Sequence, residues 1–262
     1  MQNVMQPAHL WFLGRAGSPN FMDDYGSASP LVPMGDPKGD ASSFGDQRKL
    51  VAGTFRSSLI SNSQASPNPG LTNNVTGTGR VMPYSVGTIG ALFHPRSDGE
   101  LNQNIFGYGD STNSAFFRFQ FTPNADSPLT GRFRVETAQE PVADTYEVRL
   151  NVDFSYDQTI VVAIRQRGGN NGIEFFVNGV IYTNADSPLL IEQLQLDAGS
   201  TVNDWLDVAN DEVAAIGRRS NNLGSRQTNA FMSHIFVHDA AYSDQQLYDW
   251  YNRMSFVVSP TP

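Results

Sequence analysis

Two apolar runs joined by a turn cluster constrain this chain most: Thr159 to Gln166, TIVVAIRQ, and Asn171 to Thr183, NGIEFFVNGVIYT. β-Branched and aromatic residues dominate both runs, and Arg167-Gly168-Gly169-Asn170-Asn171-Gly172 between them is rich in residues that accept turn geometry. The second run carries its own Asn178-Gly179 pair. Together these predict an antiparallel hairpin. Ile160 to Ile164 is apolar at every position, which predicts a central strand buried on both faces; Ile173, Phe175 and Val177 follow the alternating rule of a strand with one buried face.

The same period recurs along the chain from Tyr84. Val86 to Phe93 and Asn104 to Tyr108 are short apolar runs bounded by Gly, Pro and Asp. In Phe116 to Phe121 the rings of Phe117, Phe119 and Phe121 fall on one face, with Arg118 and Gln120 on a second face expected to be wet. Burying three such rings contributes on the order of 1.5–3 kcal/mol each. Phe133 and Val135 alternate with arginines, as do Val148, Leu150, Val152 and Phe154 with Arg149, Asn151 and Asp153. The hexapeptide NADSPL occurs at Asn124–Leu129 and again at Asn184–Leu189, each time after a strand, and predicts one turn used twice.

Ala230 to His238, AFMSHIFVH, is a further strand, and one helix signal follows it. Ser243 stands as N-cap with Gln246 three residues on, Tyr242 and Leu247 suit a hydrophobic staple, and Leu247, Trp250, Tyr251 and Met254 form one stripe. The segment before Tyr84 differs: after His9-Leu10-Trp11-Phe12-Leu13 it is dense in Gly, Pro, Ser, Asn and Asp and predicts an irregular arm. Residues 1–83 therefore read as a first strand plus arm, and 84–262 as a sandwich that includes that first strand in one fold. Ten or more strands, one helix and no βαβ alternation predict an all-β, two-sheet antiparallel sandwich.

Composition excludes some roles. A net charge of −9 and few lysines and arginines speak against a nucleic-acid partner. No cysteine is present, so burial alone must hold the fold. No apolar run approaches the roughly 20 residues that span a bilayer, and MQNVMQPAHLWFLG lacks the basic and apolar parts of a secretory signal, so the expectation is synthesis in the cytoplasm without export by that route and no membrane partner. Asn74-Val75-Thr76 is then a chance sequon.

The order of elements from Tyr84 resembles the laminin-G-like, concanavalin-A-like jelly-roll superfamily. The likeness is carried by TIVVAIRQ before the hairpin, by IEFFVNGVIY ending in Asn-Gly, by VAAIGRR, and by AFMSHIFVHDAAYSDQQLYDWY as last strand and capped helix. His9-Leu10-Trp11-Phe12-Leu13 looks like the family's first strand, which pairs beside the last. The resemblance implies a jelly-roll sandwich and leaves function open.

Candidate chemistry is sparse. Retaining glycoside hydrolases need two carboxyl groups about 5–5.5 Å apart, and the superfamily's hydrolases place them on one strand as Glu-x-Asp-x-x-Glu. No such run exists here; Asp204 to Glu212, DWLDVANDE, has the wrong spacing, and Glu174 has no acidic neighbour two residues away. Neither a nucleophile elbow, a phosphate loop nor a zinc helix occurs, so catalysis is not expected. His234 and His238, expected on one strand face with Met232 and Phe236, lie roughly 13 Å apart along a strand, too far to share a metal ion. Calcium is the one ion the resemblance implies; Asp23, Asp24, Asp36, Asp40, Asp98 and Asp110 offer loop carboxylates, though no spacing singles out a metal site, and no other cofactor is expected. Trp11, Trp205 and Trp250 suit core packing better than sugar stacking.

Two functional expectations follow. The first is a non-enzymatic virion structural protein of a bacteriophage, such as a capsid decoration, head-fibre or tail component, acting through contacts with other virion or capsid subunits and forming a homo-oligomer. The alternative is a carbohydrate-binding, lectin-like adhesin module whose partner is a glycan.

Overall fold

Alternating sequence becomes two stacked antiparallel sheets. The computed structural model describes residues 9–11, 32–34, 70–74, 86–97, 102–109, 116–139, 144–167, 172–186, 189–195, 213–217 and 230–258. In chain order the strands are β1 (His9–Trp11), β2 (Val32–Met34), β3 (Gly70–Asn74), β4 (Gly87–Pro95), β5 (Gln103–Gly109), β6 (Phe116–Asn124), β7 (Ser127–Gln139) and β8 (Asp144–Leu150). They continue as β9 (Phe154–Ser155), β10 (Ile160–Gln166), β11 (Ile173–Val177), β12 (Val180–Tyr182), β13 (Ile191–Gln195), β14 (Val213–Ile216) and β15 (Ala230–His238), and helix α1 (Asp244–Val258) follows.

Among the described residues one sheet has six strands in the order β1-β15-β4-β10-β11-β12. The other has nine, in the order β13-β8-β7-β6-β5-β14-β3-β2, with β9 beside β7. The first strand does pair with the last strand of the sandwich, His9 opposite Val237. The segment expected as an irregular arm supplies β2 and β3, which extend the nine-stranded sheet past β14; the rest of it lies outside the described residues. The architecture is a two-sheet jelly-roll sandwich with one C-terminal helix.

The predicted hairpin is central. β10 lies between β4 and β11, is buried at every position, and pairs with β11 from Val162↔Val177 to Gln166↔Ile173. Ile160, Val162 and Ile164 enter the core between the sheets, where Phe93 of one sheet meets Phe121 and Phe133 of the other at ring separations of 5.7 and 6.3 Å. Val161 and Ala163 point the other way, into a second apolar cluster under α1. Asn178 and Gly179 form the β11–β12 turn with φ of 48° and 84°, the left-handed pair that a two-residue hairpin of this twist requires. Asn178 also accepts a bond from Val161 N through Oδ1 and donates its own N–H to Val161 O, each at 2.9 Å. The turn is thereby tied to the central strand.

Helix α1 begins as its sequence predicts. Ser243 Oγ accepts from Gln246 N, Gln246 Oε1 accepts from Ser243 N, and Leu247 and Trp250 are buried in the cluster beneath, with Tyr251 and Met254 partly buried against it. Phe236 reaches that cluster because β15 contains a bulge between Ser233 and Phe236, with His234 at φ 49°. The extra residue reverses the alternation, so Met232, Ile235 and Val237 face the inter-sheet core while Phe236 faces α1. The expectation that Met232, His234, Phe236 and His238 share one face is thus corrected.

Two further expectations are revised. The Arg118/Gln120 face of β6 is buried rather than wet, at 2% and 0% exposure, with Gln120 bonded to Asn104 and Arg134 and Arg118 paired with Glu136 at 3.6 Å. The two NADSPL copies adopt different turns. The first closes the β6–β7 hairpin, with Asp126 N donating to Asn124 Oδ1; the second follows the β12 edge, with Asp186 N donating to Thr183 Oγ1 and Thr183 Oγ1 to Asp186 Oδ2. Hairpin pairing constrains the first copy, whereas the described residues 184–186 of the second are held by Thr183, so the same residues settle differently.

Candidate functional site

The outer face of the six-stranded sheet is apolar under most of α1 and turns polar at one end. Arg165 ends the inside-out alternation of β10 on the helix side, directly opposite Glu174 of β11. Its guanidinium is 2% exposed and engaged at all three nitrogens: Nε donates to Glu174 Oε2, Nη1 to Tyr242 O at 2.7 Å, and Nη2 pairs with Asp244 Oδ1 at 2.5 Å. Arg167, 45% exposed, repeats the pattern from outside, donating to Glu174 Oε2 at 3.3 Å and to Asp244 Oδ1 at 2.9 Å. Two cations and two carboxylates therefore interlock, joining the central strand, its neighbour and the first turn of the helix.

Beside this cluster lies a cleft of about 550 Å³. Arg165, Arg167, Glu174 and Asp244 form one wall, and Thr183, Asn184 and Asp186 of the second NADSPL region form the other. Ile181 contributes apolar surface, and Tyr248, one turn into α1, stands 39% exposed at the edge with its ring against Phe176 at 5.8 Å. The Thr183–Asp186 bond pair fixes the loop wall. Asp244 is held below the usual carboxylate range, first by the hydrogen bond from Arg165 and further by the charges of both arginines, so it stays ionised.

A second polar feature crosses the outer face of the nine-stranded sheet. Asn104, Gln120, Arg134, Arg149 and Glu192 stand opposite one another in successive strands from β5 to β13. Gln120 donates to Asn104, Arg134 Nε donates to Gln120, and Glu147 accepts from both Arg134 and Arg149 at 2.9 Å. Glu147 neutralises two arginines that would otherwise face each other as like charges. The row is satisfied laterally and buried at its centre, which makes it a register lock rather than an open ligand site.

The residues singled out in the sequence are placed as follows. His234 is mostly buried, and burial lowers its pKa to about 4; His238 lies beside Asp239, and no three His, Asp or Glu side chains converge on a metal-sized site among the described residues. Trp250 packs against Phe236 and Phe176. Asp23, Asp24, Asp36, Asp40, Asp98, Asp110, Trp205 and the Asp204–Glu212 string lie outside the described residues, as does the side chain of Trp11. Arg165, Arg167, Asp186, Asp244 and Tyr248 also line the cleft, and no local motif marks them in the sequence. One signal was available: an arginine inside a strand, directly after five apolar residues, needs a partner.

No protein-family model and no curated protein matches this sequence. Among solved structures, the receptor binding domain of botulinum neurotoxin D is similar, with TM-score 0.53 and 9% identity over 95% of this chain and 53% of that one. The CBM40 of Ruminococcus gnavus IT-sialidase bound to α2,3 sialyllactose has TM-score 0.45 and 14% identity over 69% of this chain and 92% of that one. NanB sialidase from Streptococcus pneumoniae has TM-score 0.43 and 14% identity over 64% of this chain and 24% of that one. This chain thus spans about half of the toxin domain and a quarter of that sialidase. At such identities the likeness reaches the fold alone, and the toxin domain is the one that carries it.

Proposed function

We propose that this chain is a non-catalytic recognition module that binds a carbohydrate in the cleft between α1 and the Thr183–Asp186 turn. One observation carries the reading: a cleft of about 550 Å³ combines the exposed ring of Tyr248 with hydroxyl, amide and carboxylate groups held on strands, a helix and a bonded turn. A sugar presents an apolar C–H face and a rim of hydroxyls, which an aromatic ring and fixed polar groups match in turn. The similar toxin domain is a receptor binder by its description, which supports recognition as a use of this fold. A glycan array, run with and without calcium, tests the proposal. We expect a defined set of bound glycans that disappears in Tyr248→Ala; silence across the array contradicts it.

A virion role, as a capsid decoration, head-fibre or tail component in a homo-oligomer, is the second reading. Leu129 and Leu189, one from each NADSPL string, are 73% and 91% exposed, and protein contacts would cover them. Light scattering separates the two: a defined oligomer that Leu129→Asp or Leu189→Asp dissociates favours assembly, and a monomer at high concentration counts against it.

A further inference from the structure

We infer that the cleft selects neutral saccharides and discriminates against glycans carrying a carboxylate or sulfate. The inference rests on the carbohydrate-binding reading and names the ligand class of that same site. Arginines usually give a cleft its affinity for anions, through bidentate pairing of the guanidinium with a carboxylate, sulfate or phosphate. Here both arginines already pair with carboxylates of the protein, and Arg167 keeps only Nη1 outside those pairs. Arg165 is buried and spends Nε, Nη1 and Nη2 on Glu174, Tyr242 O and Asp244, and Arg167 donates Nε to Glu174 and Nη2 to Asp244.

The remaining charge points the same way. Two arginines stand against Glu174, Asp186 and Asp244, so the lining residues sum to −1. Asp186 supplies the excess, and it lies exposed on the loop wall. An anionic ligand therefore meets an unpaired carboxylate and two cations whose charge Glu174 and Asp244 already offset. A neutral ligand needs no cation: its hydroxyls donate to Asp186 and bond Asn184, while its C–H face covers Tyr248.

The test compares each neutral glycan bound on the array with its sialylated and sulfated derivatives, by titration calorimetry at fixed ionic strength. We expect the anionic derivative to bind about tenfold more weakly than its neutral parent. Asp186→Asn keeps an acceptor for Thr183 and removes the excess charge, so it should weaken neutral binding, through the poorer acceptor offered to a ligand hydroxyl, while narrowing the neutral-to-anionic gap severalfold. Equal or tighter binding of the anionic derivative by the wild-type chain overturns the inference and leaves the carbohydrate reading intact. Absence of binding to any glycan overturns both.

Discussion

Arg165 and Asp244 pair at 2.5 Å across the junction of the central strand and the helix N-terminus, 79 positions apart in sequence (244 − 165). The pair fixes where α1 begins, and with it where Tyr248 stands relative to the cleft. Glu174 completes the arrangement from the neighbouring strand, so stability and recognition share residues at this corner of the sandwich.

We predict that Glu174→Ala destabilises the fold by about 3 kcal/mol, because it strips one partner from a buried guanidinium. Glu174→Gln keeps an acceptor and should cost less. Urea unfolding monitored by tryptophan fluorescence measures both; a loss below about 0.5 kcal/mol for Glu174→Ala, the range of ordinary surface changes, contradicts the claim that the cluster is a buried network.

The packing of α1 gives a second prediction. A Cβ on Gly90 would lie 2.3 Å from Phe236 Cε1 and 3.1 Å from Trp250 Cη2, with Phe236 held in place by the β15 bulge. Gly90→Ala should therefore cost about 1–3 kcal/mol through overpacking. An unchanged midpoint would mean that the ring and helix shift without penalty.

The β11–β12 turn gives a third. Asn178→Ala loses the acceptor for Val161 N and places an unfavourable residue at φ 48°. We expect about 1–2 kcal/mol of destabilisation, with Asn178→Gly recovering the backbone share but not the hydrogen bond. Equal losses for the two variants would show that the bond alone matters.

The course of stability with pH follows from His234. Burial lowers its folded-state pKa to about 4 from the 6.5 usual for an imidazole, so below 6.5 the unfolded chain takes up a proton that the folded chain refuses. Stability from this group should be level above pH 6.5 and fall as pH drops toward 4, by up to about 3 kcal/mol. His94 and His238, also lowered chiefly by burial, act in the same direction. Chemical denaturation at pH 7.5, 6 and 5 measures the slope; a slope unchanged in His234→Asn excludes this imidazole as its source.

Much of the fold was legible because its signals are local. Alternating Phe117, Phe119 and Phe121, the Asn178-Gly179 pair and the Ser243–Gln246 box each specify their own element within a few residues, and each element forms. The β15 bulge was not legible, since the residue that slips is decided by pairing with β4, not by the string AFMSHIFVH. NADSPL shows the same limit, two identical strings taking their turns from different neighbours. The cleft was least legible: Arg165, Asp186 and Asp244 come from three elements and meet only after the sheet and helix assemble. Short-range spacing carries no trace of such a meeting.

Amide chemical-shift mapping of the labelled chain, titrated with a neutral glycan selected on the array, locates the bound sugar. Perturbations should concentrate at Thr183–Asp186, Arg167 and the first turns of α1 around Tyr248, and vanish in Tyr248→Ala. Perturbations centred instead on the outer face of the nine-stranded sheet, around Arg134, Glu147 and Arg149, would contradict binding in the cleft.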